Sequence, residues 1–234
     1  MAIPTYNPYK ASNTTFTDGL DYIIANLPGS PTLDDLTETI MEYFLSLPEP
    51  EDGKLVDAMA YAIPNSVNDY INSKILLNLN FNANGQVIID SVLSAIREES
   101  IDSLGDCLEA YIEEVAKADI NTVSKTSLYQ AVGIANANQA YWKNIVTTPG
   151  AWSTYINSNA AINYANIPNW TSAAFIGVFS GFAQIQYPEV AGADLWNGQG
   201  RNAGGVIAVG SALALTAGKV IFKWAKRPVV GGKT

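Results

Sequence analysis

Ser172-Ala-Ala-Phe-Ile-Gly-Val-Phe-Ser-Gly-Phe-Ala183 and Ala203-Gly-Gly-Val-Ile-Ala-Val-Gly-Ser-Ala-Leu-Ala-Leu-Thr-Ala-Gly218 decide how this chain folds. Both stretches are apolar and rich in residues with little or no side chain. In the first, Ala173, Gly177 and Gly181 recur every four residues. In the second, Gly210, Ala214 and Gly218 do the same, with Gly204, Ala208 and Ala212 on a parallel row. Positions four apart share a helix face, and rows of small residues let two helix axes approach closely. The pattern therefore predicts a Gly/Ala-rich apolar helical hairpin over residues 170–225. Its helix contacts are assigned to Gly177, Gly181, Gly210, Ala214 and Gly218.

The flanks of the hairpin differ from its interior. Trp170 opens the first segment, Tyr187 closes it and Trp224 ends the second, an arrangement that fits an interfacial aromatic belt. Lys219, Lys223, Lys226 and Arg227 follow the second segment and suit anionic headgroups. As helix, residues 171–186 would extend about 24 Å, short of a hydrocarbon core of roughly 30 Å. Residues 203–222 reach about 30 Å, with Lys219 placed to snorkel towards the end. Neither segment reads as a permanent membrane anchor.

Outward from the hairpin, the periodicity stays helical. Residues 17–27 form a short helix stopped by Pro28-Gly29. Thr32 is placed to cap the next, with Asp34, Asp35 and Glu38 in its first turns, where the helix dipole favours acids. Pro64 predicts a break between helices 51–63 and 66–80, with Ser66 as the second cap. Asn84-Gly85 reads as a turn before a helix at 87–97. Residues 99–118 carry an inner stripe of Ile101, Leu104, Leu108, Tyr111, Ile112 and Val115 and an outer stripe of Glu99, Asp102, Asp106, Glu109 and Glu113. A weakly charged helix over 125–147 ends before Pro149-Gly150. The fold expected is all-α, a multi-helix globular bundle.

Charge divides the chain. Residues 1–120 hold 20 of the 22 acids and 5 of the 13 bases, whereas residues 121–234 hold 2 acids and 8 bases. The acidic amphipathic region, 1–120, and the low-charge region, 121–234, meet near 119–124 and are expected to form one globular unit. Between Thr126 and Gly200 only Lys143, Glu189 and Asp194 are charged, which suits a covered core or a segment able to leave water. The acidic balance argues against nucleic acid as a partner, since phosphate binding needs clustered bases.

Histidine is absent and Cys107 is the sole cysteine. This removes His-based triads, His-ligated metals and any intramolecular disulfide. No basic region followed by an apolar run opens the chain, so the expected location is cytoplasmic, or outside the cell by a route without a secretory signal. No cofactor is expected. Asp34-Asp-Leu-Thr-Glu38 has the spacing of the metal-diphosphate motif of terpene synthases and prenyltransferases, but no second motif accompanies it. A Mg-dependent prenyl diphosphate enzyme, with Asp34, Asp35 and Glu38 on the metal, is thus a distant reading. Gly198-Gln-Gly-Arg-Asn-Ala203 has the form G-x-G-x-x-A, but it follows a poor strand and no acid comes after it to hold a ribose.

In physical type, though in no motif, the two apolar segments resemble the buried central hairpin of helical pore-forming proteins. The resemblance implies a non-enzymatic protein that becomes membrane-active when outer helices peel away. The alternative is a structural or adaptor protein that self-associates, or binds a protein partner, through the same helices. The partners expected are accordingly membrane lipid, a second copy, or another protein.

Overall fold

The computed structural model describes residues 10–47, 53–72, 81–184 and 203–224, and among them the chain is helical throughout, without a strand. Among the described residues eight α-helices follow in order: α1 (Lys10–Asn26), α2 (Leu33–Ser46), α3 (Gly53–Ile71), α4 (Ala83–Glu98), α5 (Ile101–Lys117), α6 (Thr122–Ile145), α7 (Ala160–Gln184) and α8 (Ala203–Ile221). A short 3-10 turn, Gly150–Thr154, joins α6 to α7.

Capping chemistry sets several of the helix starts. The Thr32 hydroxyl accepts the Asp35 amide at 3.2 Å, and the Asp35 carboxylate accepts the Thr32 amide at 2.7 Å, a reciprocal pair that satisfies two amides at the start of α2. Asn82, Ser100 and Asn121 cap α4, α5 and α6 with one bond each, their side chains accepting the amides of Gly85, Ser103 and Ser124. Asn84-Gly85 is thus not a turn but the opening of α4, with the Gly85 amide at 2.9 Å from the Asn82 side chain.

Pro64, predicted to break a helix, lies inside one, and so does Pro168. α3 runs unbroken through Pro64, and α7 runs through Pro168, beginning ten residues before Trp170. A helical proline frees the carbonyl four residues earlier. Here those carbonyls belong to Ala60, which is exposed, and Tyr164, which is half-buried, so both face positions that solvent reaches. Ser66 accordingly caps nothing. It is fully buried in the middle of α3. α1 also begins seven residues earlier than the sequence pattern predicts.

α7 and α8 form the centre. α1, α2 and α3 pack on α8, α4 and α6 pack on α7, and α5 lies outside against α4 and α6. Every residue from Ala173 to Gly181, and from Ile207 to Gly218, is buried. One continuous cluster of buried side chains runs from Phe16 in α1 to Val220 in α8, drawing on both the acidic and the low-charge regions. The acidic stripe of α5 faces outward, and Asp102 pairs with Lys143 of α6 at 2.6 Å. Both partners are substantially exposed, so the pair adds little to stability.

Burial also fixes how the fold responds to base. Desolvation pushes the phenol of Tyr70 up to about 12 and raises Tyr43 and Tyr141 further, with Asp18 adding to the effect at Tyr43 and Asp21 at Tyr141. An unfolded tyrosine ionises near about 10. The folded state therefore keeps protons that the unfolded state releases, so stability is complete below pH ~10 and declines as pH climbs towards ~12. Phenolate absorbance followed together with circular dichroism should show these three tyrosines ionising only as helix is lost.

Candidate functional site

The contact between α7 and α8 is made by backbone. A methyl group built on Gly177 would sit 2.5 Å from Ala212 Cα, and one on Gly181 would sit 2.5 Å from Ala208 Cα. Numbers rise along one helix as they fall along the other, so the two run antiparallel. The row that meets α7 is thus Ala208 and Ala212, not Gly210, Ala214 and Gly218. Gly210 instead receives the end of the Met59 side chain from α3, at 2.7 Å from the same built position. Ala214 is fully buried. Gly218 lies under the indole of Trp224, which folds back on the last turn of α8.

That return depends on Lys223, which adopts a left-handed backbone (φ 52) after the helix ends. The Lys219 ammonium donates to the Trp224 carbonyl. The Phe222 amide bonds Gly218 O at 2.8 Å, and the rings of Phe222 and Trp224 stack at 5.5 Å. Lys219 and Lys223 therefore stand at the negative end of the α8 dipole, where cations are favoured. Tyr187, Lys226 and Arg227 lie outside the described residues, as does Gly198 to Asn202.

A set of polar contacts, invisible to the hydrophobic pattern, clasps the central pair. The hydroxyls of Ser66 in α3 and Ser211 in α8 share a buried hydrogen bond of 2.9 Å, and Ser180 in α7 donates to Ser66 O at 3.3 Å. Gln184 at the end of α7 donates to Asp69 at 3.1 Å, and Gln130 in α6 donates to Gly205 O at 2.7 Å. α3 therefore touches both central helices through side-chain polar groups. Being directional, these bonds fix the register of a pair whose apolar faces slide more readily.

At the opposite end, three tryptophans anchor α7. Trp142 packs on Trp170 at 4.7 Å and on Trp152 at 4.9 Å between ring centres. The Trp142 indole N–H donates to Asn138, whose amide donates to Thr171, and Trp152 donates to Tyr141, which donates to Asp21. Trp170, predicted at a membrane interface, is 6% exposed and belongs to this core.

The acids of the Asp34-Asp35-Glu38 group serve the start of α2. The Thr32 hydroxyl, and then its amide, holds the Asp35 carboxyl below the usual carboxylate range, while Asp34 and Glu38 are exposed on the helix surface. Among the described residues no group of three or more His, Cys, Asp or Glu side chains is placed to hold a metal ion. Nor, among them, is any helix long and apolar enough to cross a membrane.

Two mutational series follow. Gly177→Ala and Gly181→Ala should each destabilise the protein by about 3 kcal/mol in urea unfolding, because backbone cannot yield. Gly210→Ala should cost under about 1 kcal/mol, since Met59 is flexible and alanine favours helix. Ser66→Ala and Ser211→Ala should each cost about 1 kcal/mol, and the double variant less than their sum, because each single change orphans the other hydroxyl. Comparison with protein families, curated proteins and solved structures gives no match to this chain.

Proposed function

We propose that this protein is a latent membrane-active or pore-forming protein, in which α7 and α8 form an apolar hairpin held inside a sheath of amphipathic helices until the sheath opens. One observation carries this reading: the most apolar segments of the chain are its most deeply covered, and the helices covering α8 come from the acidic region. α1, α2 and α3 supply that cover, and 20 of the 22 acids lie in residues 1–120. The low-charge segment is thus the part suited to leaving water, and the charged segment the part suited to remaining in it.

The polar clasp gives the opening a defined place. Ser66, Asp69 and the backbone of α3 hold Ser211, Gln184 and Ser180, so displacement of α3 frees both central helices together. Acid favours the approach to a negative surface. With a net charge of -9 at pH 7, the protein is repelled by anionic lipid, and protonating its carboxylates removes that repulsion. Lys219 and Lys223 then meet the headgroups at the end of α8.

The rival reading, self-association or adaptor binding through the same helices, meets an obstacle. Gly177 and Gly181 are already occupied by Ala212 and Ala208 of the same chain. The large apolar side chains exposed among the described residues, Leu45, Val87 and Ile162, stand on three different helices. An enzymatic reading has less support still, with Asp35 engaged in capping.

Dye release from anionic vesicles tests the proposal. Leakage should increase as pH falls from 7 through the isoelectric point of about 4.4, and below that point, where the protein is net positive, should fall in high salt as screening shortens the Debye length. A Cys107→Ser, Ser66→Cys, Ser211→Cys variant should form a staple between α3 and α8. When oxidised it should release no dye, and reduction should restore release. Absence of both leakage and vesicle co-sedimentation at every pH overturns the reading, as does leakage unaffected by the staple.

A further inference from the structure

Beside the Trp224 return, between the 3-10 turn, the first half of α7 and the end of α8, lies a cleft of about 670 Å³. That is the size of a small-molecule site. Asn157, Asn166 and Asn169 bring three side-chain amides to its lining, from the loop before α7 and from α7 itself. Tyr155 and Trp224, both half-buried, bring aromatic surface together with the buried Trp170. No carboxylate is among the lining residues.

The three amides are left in complementary states. Asn157 Oδ1 accepts the Asn159 amide at 2.8 Å, which leaves the Asn157 Nδ2 to donate. Asn166 Nδ2 donates to Ile162 O at 3.0 Å, which leaves the Asn166 Oδ1 to accept. Asn169, a neighbour of Asn166 on the same helix face, makes no side-chain hydrogen bond among the described residues and offers both a donor and an acceptor.

The cleft is also held in shape. The Asn163 side chain, 2% exposed, accepts the Asn157 amide at 3.0 Å and donates to Asn157 O at 2.6 Å, pinning the loop before α7. At the end of α8, Gly218 leaves room for the Trp224 indole, the left-handed backbone of Lys223 turns the chain back, and the Lys219 ammonium donates to the Trp224 carbonyl. Lys219 is thus engaged with the protein and belongs to the wall. A ligand enters a site whose sides are already set, which reduces the ordering cost of binding.

The state of the amides selects a ligand class. A hydroxyl both donates and accepts, so it is matched by a donor and an acceptor side by side, as Asn169 and Asn166 provide. Several hydroxyls on one rigid carbon ring engage the three amides together, while the slightly positive C–H groups on the face of that ring settle on the negative face of an aromatic side chain. A metal cation finds no carboxylate here. A bare hydrocarbon would leave the amides without partners.

We propose that this cleft binds a neutral saccharide, the chemistry shared by soluble sugars and by glycolipid headgroups. The headgroup source rests on the membrane reading above; the soluble source does not. Binding to the full chain can be followed by calorimetry and by tryptophan fluorescence. The probes are glucose, galactose, maltose, lactose and diacetylchitobiose, and phosphatidylcholine vesicles with and without lactosylceramide.

Saturable binding to at least one sugar probe is expected. It should weaken about tenfold in Asn169→Ala, which removes the amide that both donates and accepts, and about tenfold in Trp224→Ala, which removes a ring. Trp224→Phe, which keeps a ring, should bind more tightly than Trp224→Ala, with unchanged circular dichroism in all three variants. Vesicle binding that requires lactosylceramide supports a headgroup; binding to the soluble sugars with none to vesicles supports a free saccharide. The proposal is overturned by no binding to any probe, by equal binding of sorbitol, which has the hydroxyls without the ring, or by tighter binding of adenosine than of every sugar. Full binding by both Asn169→Ala and Trp224→Ala overturns it as well. Dye release by a protein that binds no sugar probe defeats the cleft alone, and sugar binding without dye release defeats the membrane reading alone.

Discussion

The rest of the structure depends on the approach of two backbones, Gly177 against Ala212 and Gly181 against Ala208. At this distance there is no room for a side chain on α7, so the residues that make the contact are those that contribute almost nothing to hydrophobic burial themselves. What they provide is proximity. Once the axes are close, Phe175, Phe179, Leu213 and Leu215 on the flanks of the same helices project into the surrounding layer and become the surface on which the outer helices collapse. Dispersion forces between densely packed atoms, added over many such contacts, then favour a tight centre over a loose one.

A centre of this kind creates a problem of register, and polar groups solve it. Apolar faces with small residues tolerate sliding, whereas a buried hydroxyl without a partner is costly. Ser66, Ser180 and Ser211 meet where α3 crosses the pair, and Gln184 and Gln130 bind further along α3 and from α6. The same contacts make α3 the element that ties the two central helices together. At the far end of α7, the three tryptophans and the Asn138 network supply a bulkier anchor, and the two ends of the central pair are therefore secured by different chemistry.

Much of this was legible from spacing. The small-residue rows identified α7 and α8 as close-packing helices, Thr32 with Asp35 marked a cap, and the inner stripe of α5 named four residues that are buried in the structure: Leu104, Leu108, Ile112 and Val115. Local signals misled at Pro64 and Asn84-Gly85. A proline inside a helix crowds and frees the carbonyl four residues earlier, and whether that carbonyl, of Ala60 for Pro64 and of Tyr164 for Pro168, sits where solvent reaches is settled by packing. Likewise Ser66 has the composition of a cap, but which hydroxyl meets it depends on a residue 145 positions away.

The sequence by itself determined that the chain is helical, that its charge is carried mainly by the first half, and that two segments of the second half are built for close contact. Those properties follow from side-chain size, polarity and period, which are local. The tertiary structure decided which row of small residues faces α7, that Trp170 is core, that Gly218 seats an indole, and that lysines, amides and aromatic rings gather around one cleft. Each of these turns on the rotation of a helix about its axis and on its crossing with neighbours, quantities fixed only when the whole set of surfaces packs at once.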